Sequence, residues 1–215
     1  MFILDKEISI ASLYLSEIRD LEIQKDRQKF RRNIERLGEI MAYEISRVIN
    51  YQDKEVQTPL GTYKARVPKQ QPVLLTILRA GLPFFQGFLN VFDQADGGFI
   101  GSYRATEGGK EDIEVKLEYE AMPGLEGRDV ILIDPMLATG KSLVNAVDRL
   151  KRRGIPGHLY IASVIAAPEG VEFIKDNLDV NYSIWTASLD DHLNNKAYIV
   201  PGLGDAGDLA YGPKH

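Results

Sequence analysis

The chain has 215 residues, a hydrophobic content of 44%, no cysteine and a formal net charge of −5, which predicts one domain over residues 1–215. The absence of cysteine excludes disulfide bonds, a thiolate zinc site and a cysteine nucleophile, and the acidic balance argues against nucleic-acid binding. No apolar run approaches the roughly 20 residues of a membrane span, and the N-terminus lacks the pattern of a signal peptide, so we expect a cytoplasmic protein that binds no membrane.

The first predicted elements are a helix, a hairpin and a buried strand. Apolar residues at steps of three and four predict an amphipathic helix over residues 25–49. Residues 55–67 predict a hairpin of two polar strands with Leu60-Gly61 as its turn. The continuous apolar stretch 73–78 predicts a strand in a sheet that is covered on both faces. This strand ends at Arg79, and a phenylalanine-rich helix follows.

The next predicted strand, residues 99–103, ends at Arg104. A glycine-containing loop over 105–110 follows it. Apolar residues then alternate with charged ones over 113–119, which predicts a half-buried strand or a projecting β-arm.

Residues 129–144 carry the most informative pattern in the chain. The apolar stretch 130–133 predicts a buried strand, and Asp134-Pro135 ends it because proline cannot continue a central strand. A small-residue loop and Gly140 lead into a helix that begins near Ser142 and ends at Gly154. Free N–H groups and the positive end of a helix dipole converge at such a junction, so this stretch predicts a phosphate site.

The kind of phosphate follows from the residues of this loop. Residues 139–142 mimic the end of a Walker A motif, but Pro135 stands where that motif needs its first glycine, and proline has no N–H to donate. Asp134 suits a sugar phosphate, because a carboxylate can accept hydrogen bonds from sugar hydroxyls while the loop amides bind the 5-phosphate. The alternative is that Asp134 only caps the following helix.

Further strands are predicted at 159–166 and 182–186, with a short helix at 171–177 between them. Strands that alternate with helices predict an α/β fold, with a mainly parallel sheet flanked by helices on both faces. Ligands bind at the carboxyl ends of the strands in such sheets. Three charged residues follow predicted strands, so we expect one cleft to hold Arg79, Arg104 and Asp134.

Two arginines in an acidic chain suit a multiply charged phosphate ester, because each guanidinium offers a planar fork of donors. The glycine-rich stretch 198–208 permits close approach of the backbone to a flat ligand. Its backbone N–H and C=O groups could match the acceptors and donors of a pyrimidine edge. The alternative for this stretch is a plain turn.

Together these motifs resemble the uracil phosphoribosyltransferase family. The resemblance rests on Leu78-Arg79-Ala80-Gly81-Leu82, Tyr103-Arg104, Asp134-Pro135-Met136-Leu137-Ala138-Thr139-Gly140 and the stretch 198–208, which reads Tyr-Ile-Val-Pro-Gly-Leu-Gly-Asp-Ala-Gly-Asp. It implies a type I phosphoribosyltransferase-like fold with a projecting β-arm and a C-terminal base-binding hood. The implied reaction is the transfer of the 5-phosphoribosyl group from 5-phospho-α-D-ribose 1-diphosphate (PRPP) to uracil, giving UMP and diphosphate in pyrimidine salvage.

The resemblance also implies roles for individual residues. Asp205 and Arg104 would be catalytic. PRPP would be bound by Arg79, Arg104, Asp134, Pro135, Met136, Leu137, Ala138, Thr139, Gly140, Lys141, Ser142 and Asp205. Uracil would be bound, largely through the backbone, by Ile199, Gly204, Asp205 and Ala206. The family usually has glycine in place of Lys141, which leaves the contribution of that residue to phosphate affinity open.

The implied cofactor is Mg²⁺, bound mainly through PRPP, and the segment 105–120 would close over the site. The implied assembly is a homodimer or a larger homo-oligomer, with GTP as a candidate effector and no nucleic-acid partner. The alternative function is a pyrimidine-sensing RNA-binding attenuator on the same fold with weak or no activity. Two further rivals are a phosphoribosyltransferase for another base and a P-loop nucleotide kinase.

Overall fold

A computed structural model describes residues 1–105 and 114–213, with side chains apart from those of 102–105 and 114–118. Its strands, in chain order, are β1 (Phe2–Ile3), β2 (Tyr51–Thr58), β3 (Gly61–Pro68), β4 (Val73–Leu78), β5 (Gly97–Ala105), β6 (Glu114–Ala121), β7 (Asp129–Ile133), β8 (Met136–Leu137), β9 (His158–Ala166), β10 (Tyr182–Leu189), β11 (His192–Leu193) and β12 (Ile199–Val200). Its helices are α1 (Ala11–Arg19), α2 (Arg27–Ser46), α3 (Leu82–Val91), α4 (Lys141–Leu150), α5 (Pro168–Asn177) and α6 (Ala206–Tyr211).

The main sheet has the order β1-β10-β9-β7-β4-β5-β6 within the described residues, and β8 adds a short pairing to β9. Each neighbouring pair is parallel except β5 and β6, which are antiparallel. The predicted mainly parallel sheet is therefore confirmed.

Alternation of side chains along the central strands explains why both faces of the sheet are covered. In β4, Val73 and Leu75 belong to a core that includes apolar residues of α4 and α5, whereas Leu74 belongs to a core with α1, α2, α3 and α6. Successive side chains of a strand point to opposite faces, so an uninterrupted apolar run fills both layers. Among the described residues, no helix has the length and apolar character to cross a bilayer.

The long helix α2 is shorter than the predicted span 25–49. It begins at Arg27 because the Asp26 carboxylate accepts hydrogen bonds from the backbone N–H groups of Gln28 (2.9 Å) and Lys29 (3.0 Å), which is the N-cap arrangement. Near its end, the Val48 N–H donates to the Ile45 carbonyl, a tighter pairing that closes the last turn.

The hairpin predicted at 55–67 is longer and its turn lies one residue earlier than predicted. The strands β2 and β3 form a separate two-stranded sheet joined by Pro59 and Leu60, and Gly61 already pairs with Thr58. The Thr58 hydroxyl accepts a hydrogen bond from the Gly61 N–H (3.1 Å), so the turn is closed by the side chain that precedes it.

The predicted arm falls largely on residues for which the description is incomplete. From residue 106, the predicted loop 105–110 lies outside the described part of the chain. The following strand is β6, which pairs antiparallel with β5 at the edge of the main sheet. A projecting arm at 105–120 and a C-terminal hood stay predictions.

The helices α2 and α3 cross at two glycines. A Cβ added to Gly87 would lie 2.1 Å from the Glu35 carbonyl oxygen, and one added to Gly38 would lie 2.4 Å from the Phe84 carbonyl oxygen. Both obstacles are backbone atoms, which cannot rotate away. The close approach of the two helices therefore depends on the absence of side chains at these positions.

We expect Gly87→Ala to lower the free energy of unfolding by about 1–3 kcal/mol, the usual cost of forcing extra atoms into a packed contact. Alanine normally stabilises a helix relative to glycine by roughly 1 kcal/mol, so the sign of the change is diagnostic. Urea unfolding measures it. Gly124→Ala is the control, because nothing lies within 4 Å of a Cβ at Gly124; equal stability of the two variants would contradict the close contact.

Candidate active site

A cavity of about 530 Å³ lies at the carboxyl ends of the central strands. Its walls come from residues 77–80 at the end of β4, from residues of 134–143 that follow β7 and include the first turn of α4, and from two C-terminal stretches, 197–199 and 204–207. The parallel pairing of β4 with β7 sets Thr76 opposite Ile133, so Arg79 and Asp134 follow neighbouring strand ends. The C-terminal loop closes the remaining side.

The structure brings most of the sequence-predicted residues to this cavity. The predicted PRPP residues that line it are Arg79, Asp134, Met136, Leu137, Ala138, Thr139, Gly140, Ser142 and Asp205. The predicted uracil residues Ile199, Gly204, Asp205 and Ala206 all line it.

Two predicted residues, Pro135 and Lys141, are outside the cavity lining, and the position of a third, Arg104, stays a prediction. Pro135 is buried away from the cavity, where its carbonyl oxygen accepts hydrogen bonds from the Val164 and Ile165 N–H groups, each at 3.1 Å. Lys141 is the exposed first residue of α4. Arg104 lies near the end of β5, and its side chain is outside the described part of the structure.

The loop 134–140 has the backbone that an anion site needs. Gly140 adopts φ +76° at the N-cap of α4, and a Cβ there would lie 2.9 Å from the Gly170 carbonyl oxygen. Both the backbone conformation and the lack of space therefore disfavour a side chain at this position. None of the described side chains caps the first turn of α4. Its leading N–H groups are therefore available to a bound anion.

Asp134 faces the cavity and does not cap α4. One oxygen of its carboxyl group accepts a hydrogen bond from the Met136 N–H at 3.2 Å, and Gly140 takes the N-cap position instead. The capping interpretation of Asp134 is therefore wrong. Burial raises the pKa of the Asp134 carboxyl from 3.8 to about 7, although the bond from Met136 favours the ionised form.

The Arg79 guanidinium reaches from the end of β4 to α6. One of its terminal nitrogens donates to the Asp208 carboxylate (3.0 Å) and to the Gly212 carbonyl oxygen (2.6 Å). Its Nε atom is buried and has no acceptor among the described residues. A buried cationic donor without a partner next to a cavity is a suitable contact for an anionic ligand.

Asp205 lies at the start of α6, where its carboxylate accepts a hydrogen bond from the Asp208 N–H at 3.0 Å. A Cβ added to Gly207 would lie 3.2 Å from the Asp205 carboxylate and 3.8 Å from Arg79 Nε, so these two charged groups flank the same piece of backbone. Two residues near the cavity were not predicted as site residues: Asp208, which pairs with Arg79, and Tyr198, which lines the cavity. Both lie in the glycine-rich stretch that was singled out.

The carboxylates of the cavity, Asp134 and Asp205, are oxygen donors of the kind that Mg²⁺ prefers. Among the described residues, no group of three or more His, Asp or Glu side chains is placed to hold a metal ion. This donor set fits a magnesium ion that takes most of its ligands from a bound diphosphate and from water.

A sequence model of the uracil phosphoribosyltransferase family matches residues 7–213. The chain belongs to this family. It is 47% identical over 211 residues to the uracil phosphoribosyltransferase of Porphyromonas gingivalis, covering 98% of this chain and 97% of the relative. It is 36% identical to that of Pyrococcus furiosus, covering 92% and 84%. The family transfers phosphoribosyl groups, so the chain is a phosphoribosyltransferase.

Solved structures share the fold of this chain. The AQ2163 protein from Aquifex aeolicus superposes with a TM-score of 0.85 at 33% identity, covering 99% of this chain and 98% of that one. A hypoxanthine phosphoribosyltransferase from Staphylococcus aureus gives a TM-score of 0.50 at 14% identity, covering 74% of each chain, which supports the shared fold alone.

We expect Asp134→Asn to raise the melting temperature at pH 8 by roughly 2–8 °C, as about 1–2 kcal/mol would do in a chain of this size. The folded pKa of about 7 lies above the usual 3.8, so the buried ionised carboxylate costs stability above pH 7, and the cost disappears as the pH falls towards 4. Asparagine can keep the bond from Met136.

Melting curves of both proteins from pH 4 to pH 8 test this expectation. The exposed Asp93 supplies the control Asp93→Asn, which should follow the unmodified protein at every pH. A stability difference for Asp134→Asn that stays the same from pH 4 to pH 8 would contradict a raised pKa.

Proposed function

We propose that the protein transfers the 5-phosphoribosyl group of PRPP to uracil, giving UMP and diphosphate. The observation that carries this proposal is one cavity that has anion-binding groups on one side and a backbone loop suited to a flat base on the other. Family membership supports the same reaction.

The PRPP side of the cavity is built from the loop 134–140 and Arg79. The N–H groups at the start of α4 bind the 5-phosphate, which carries the charge that the helix dipole favours. Asp134 accepts hydrogen bonds from the ribose hydroxyls. The guanidinium of Arg79 binds the diphosphate side, and Arg104 is proposed to join it there on the strength of the family resemblance.

The uracil side is built from the C-terminal loop. Ile199 and Ala206 are almost fully buried and give an apolar wall, whereas Gly204 is exposed and has no side chain to keep a ring away. Backbone donors and acceptors next to the ring can match the two carbonyls and two N–H groups of uracil. Asp205 lies beside Arg79, and this supports a place for it between the two substrates.

In the proposed reaction, the bond from C1 of the ribose to diphosphate breaks as N1 of uracil forms its bond to C1, through a transition state with positive charge on the ribose ring. The N1–H bond of uracil also breaks, and its proton is released to water. The chain contributes by holding both substrates in line and by stabilising charge on the departing diphosphate, and no covalent intermediate with the protein is required. Arg79 performs the second task through its donors.

Magnesium, when bound, supplies charge that neutralises the diphosphate. Asp205 and Asp134 are the carboxylates that would hold it, with the other ligands from PRPP and water. Lys141, exposed beside the loop, is proposed to add a longer-range attraction for the phosphate.

The proposal extends to the assembly and the surroundings of the site. We propose a homodimer or larger homo-oligomer in the cytoplasm, one domain over residues 1–215, GTP as a candidate effector and closure of the segment 105–120 over the bound substrates. Exposed apolar side chains on the hairpin β2–β3, such as Leu60 and Tyr63, support association between copies.

The test is incubation of the protein with PRPP, Mg²⁺ and one base at a time, from uracil, cytosine, hypoxanthine and adenine, with products identified by mass. We expect UMP and diphosphate from uracil and no product from the other bases. Conversion of another base in preference to uracil would overturn the proposal, as would phosphate transfer from ATP without PRPP. Leader-RNA binding without uracil conversion would favour the attenuator.

We expect Asp205→Asn to lower kcat by roughly tenfold to a hundredfold, because it removes a negative charge worth about 1.5–3 kcal/mol as a charge-assisted contact. The fold should survive, since asparagine caps a helix as well as aspartate does. Steady-state rates and a melting curve measure the two effects.

The matched control is Asp26→Asn, because Asp26 is likewise an N-cap and starts α2 outside the cavity lining. The control should turn over at the rate of the unmodified protein. Equal rates for Asp205→Asn and Asp26→Asn would remove Asp205 from the reaction.

A further inference from the structure

We propose that Arg19, Gln24 and Asp190 form a clamp that fixes the conformation of residues 199–206, the uracil loop. Arg19 and Gln24 are then positioning residues for uracil, although neither lines the cavity. This inference rests on the proposed function, because it concerns the base site of that reaction. Arg19 ends α1, Gln24 follows it, and Asp190 comes directly after β10.

The centre of the clamp is the Asp190 carboxylate, whose side chain is only 2% exposed. Arg19 donates to both of its oxygens, at 2.7 and 2.6 Å, in a bidentate pair. The Ser188 hydroxyl donates at 3.2 Å and the Gly202 N–H at 2.8 Å. Four donors leave this buried charge well compensated, which is the condition for a stable buried ion pair.

The clamp also binds two successive carbonyl groups of the loop. Arg19 donates to the Gly202 carbonyl oxygen at 3.0 Å. The Gln24 amide is assigned the orientation in which its nitrogen, and not its oxygen, faces two carbonyl groups. In that orientation it donates to the Leu203 carbonyl oxygen at 2.9 Å and to that of Ile18 at 3.2 Å. Gln24 is 7% exposed, so these bonds are shielded from water.

These contacts set the direction of the backbone at the point where it enters the cavity. The N–H and C=O groups of Gly202 and the C=O group of Leu203 all face the clamp, and the Leu203 side chain is buried in the core. The next residue, Gly204, lines the cavity with φ +97°. The backbone groups that follow are thereby presented to the base.

The PRPP side of the cavity has no direct link to the clamp among the described contacts. The Asp134 N–H donates to the Ala162 carbonyl oxygen of β9, and Gly140 lies close to Gly170. The nearest hydrogen-bonded connection between the two sides is indirect, because Asp190 bonds to Ala166, which pairs with Leu137. Damage to the clamp should therefore weaken the use of uracil more than the use of PRPP, because Asp205 is the only proposed PRPP residue in the loop that the clamp holds. A general loss of folding would weaken both to the same extent.

Three variants test the clamp. Arg19→Met removes the bidentate pair, Arg19→Lys keeps the charge but offers no planar fork, and Gln24→Met removes the bond to Leu203 with little change of volume. The matched control is Arg47→Met, because Arg47 forms an exposed pair with Glu44 on α2. The assays measure kcat/KM for uracil at saturating PRPP and kcat/KM for PRPP at saturating uracil.

We expect kcat/KM for uracil to fall tenfold or more in Arg19→Met, about threefold to tenfold in Gln24→Met and to an intermediate extent in Arg19→Lys. The value for PRPP should stay within threefold, and Arg47→Met should change neither. In Arg19→Met and Gln24→Met without substrates, amide hydrogen exchange should become faster in residues 199–206 and stay the same in residues 134–144.

Each outcome decides the matter. Equal losses for uracil and PRPP, or unchanged kinetics in Gln24→Met together with unchanged exchange in 199–206, would overturn the clamp as a positioning device. Should Arg19→Met fail to fold, Gln24→Met and Arg19→Lys carry the test. If the unmodified protein does not convert uracil at all, the proposed function fails instead, and the exchange result still reports on the clamp.

Discussion

In the middle of the sheet, β4 lies parallel to β7, with Val73 opposite Val130 and Thr76 opposite Ile133. The Thr76 hydroxyl adds a hydrogen bond to the Ile133 carbonyl oxygen at 3.1 Å. Because the two strands are parallel, both end at the same edge of the sheet. Arg79 and Asp134, which are 55 positions apart in sequence, therefore become neighbours. All of the proposed chemistry requires this one alignment.

The sequence predicted the elements whose signals lie within a short stretch of the chain. The apolar run 73–78 and the strand, loop and helix at 129–144 each contain their own signals, and the structure has β4, β7 and α4 at these places. The start of α2 was predicted two residues too early, at residue 25, although Asp26 is a cap residue directly before Arg27. The hairpin turn was misplaced because a glycine was taken as its centre, whereas the Thr58 hydroxyl closes it.

What local patterns could not predict were contacts between distant segments. The helix α1 has an irregular apolar pattern and was not predicted, yet its Arg19 bonds to Asp190, 171 positions later. The pairing of Arg79 with Asp208 spans 129 positions in the same way. Periodicity reports which face of an element is buried, and it says nothing about which remote polar group will meet that face. Family resemblance pointed to the site residues but not to these supports.

Asp134 illustrates the cost of a site that is built before its ligand arrives. The carboxyl group of Asp134, which is proposed to accept hydrogen bonds from sugar hydroxyls, is desolvated by burial, and the protein bears this cost whenever the cavity lacks a ligand. Such a conflict between stability and function is commonest where polar groups converge on a pocket.

The ion pair between Arg19 and Asp190, which supports the uracil loop in the proposed clamp, limits the substitutions that this chain can accept. Replacement of Arg19 alone would leave the buried Asp190 carboxylate without its charge partner, which lowers stability. Homologues should therefore exchange these two positions jointly, and a mutant library meant to alter base preference should randomise them as a couple, together with the pocket wall.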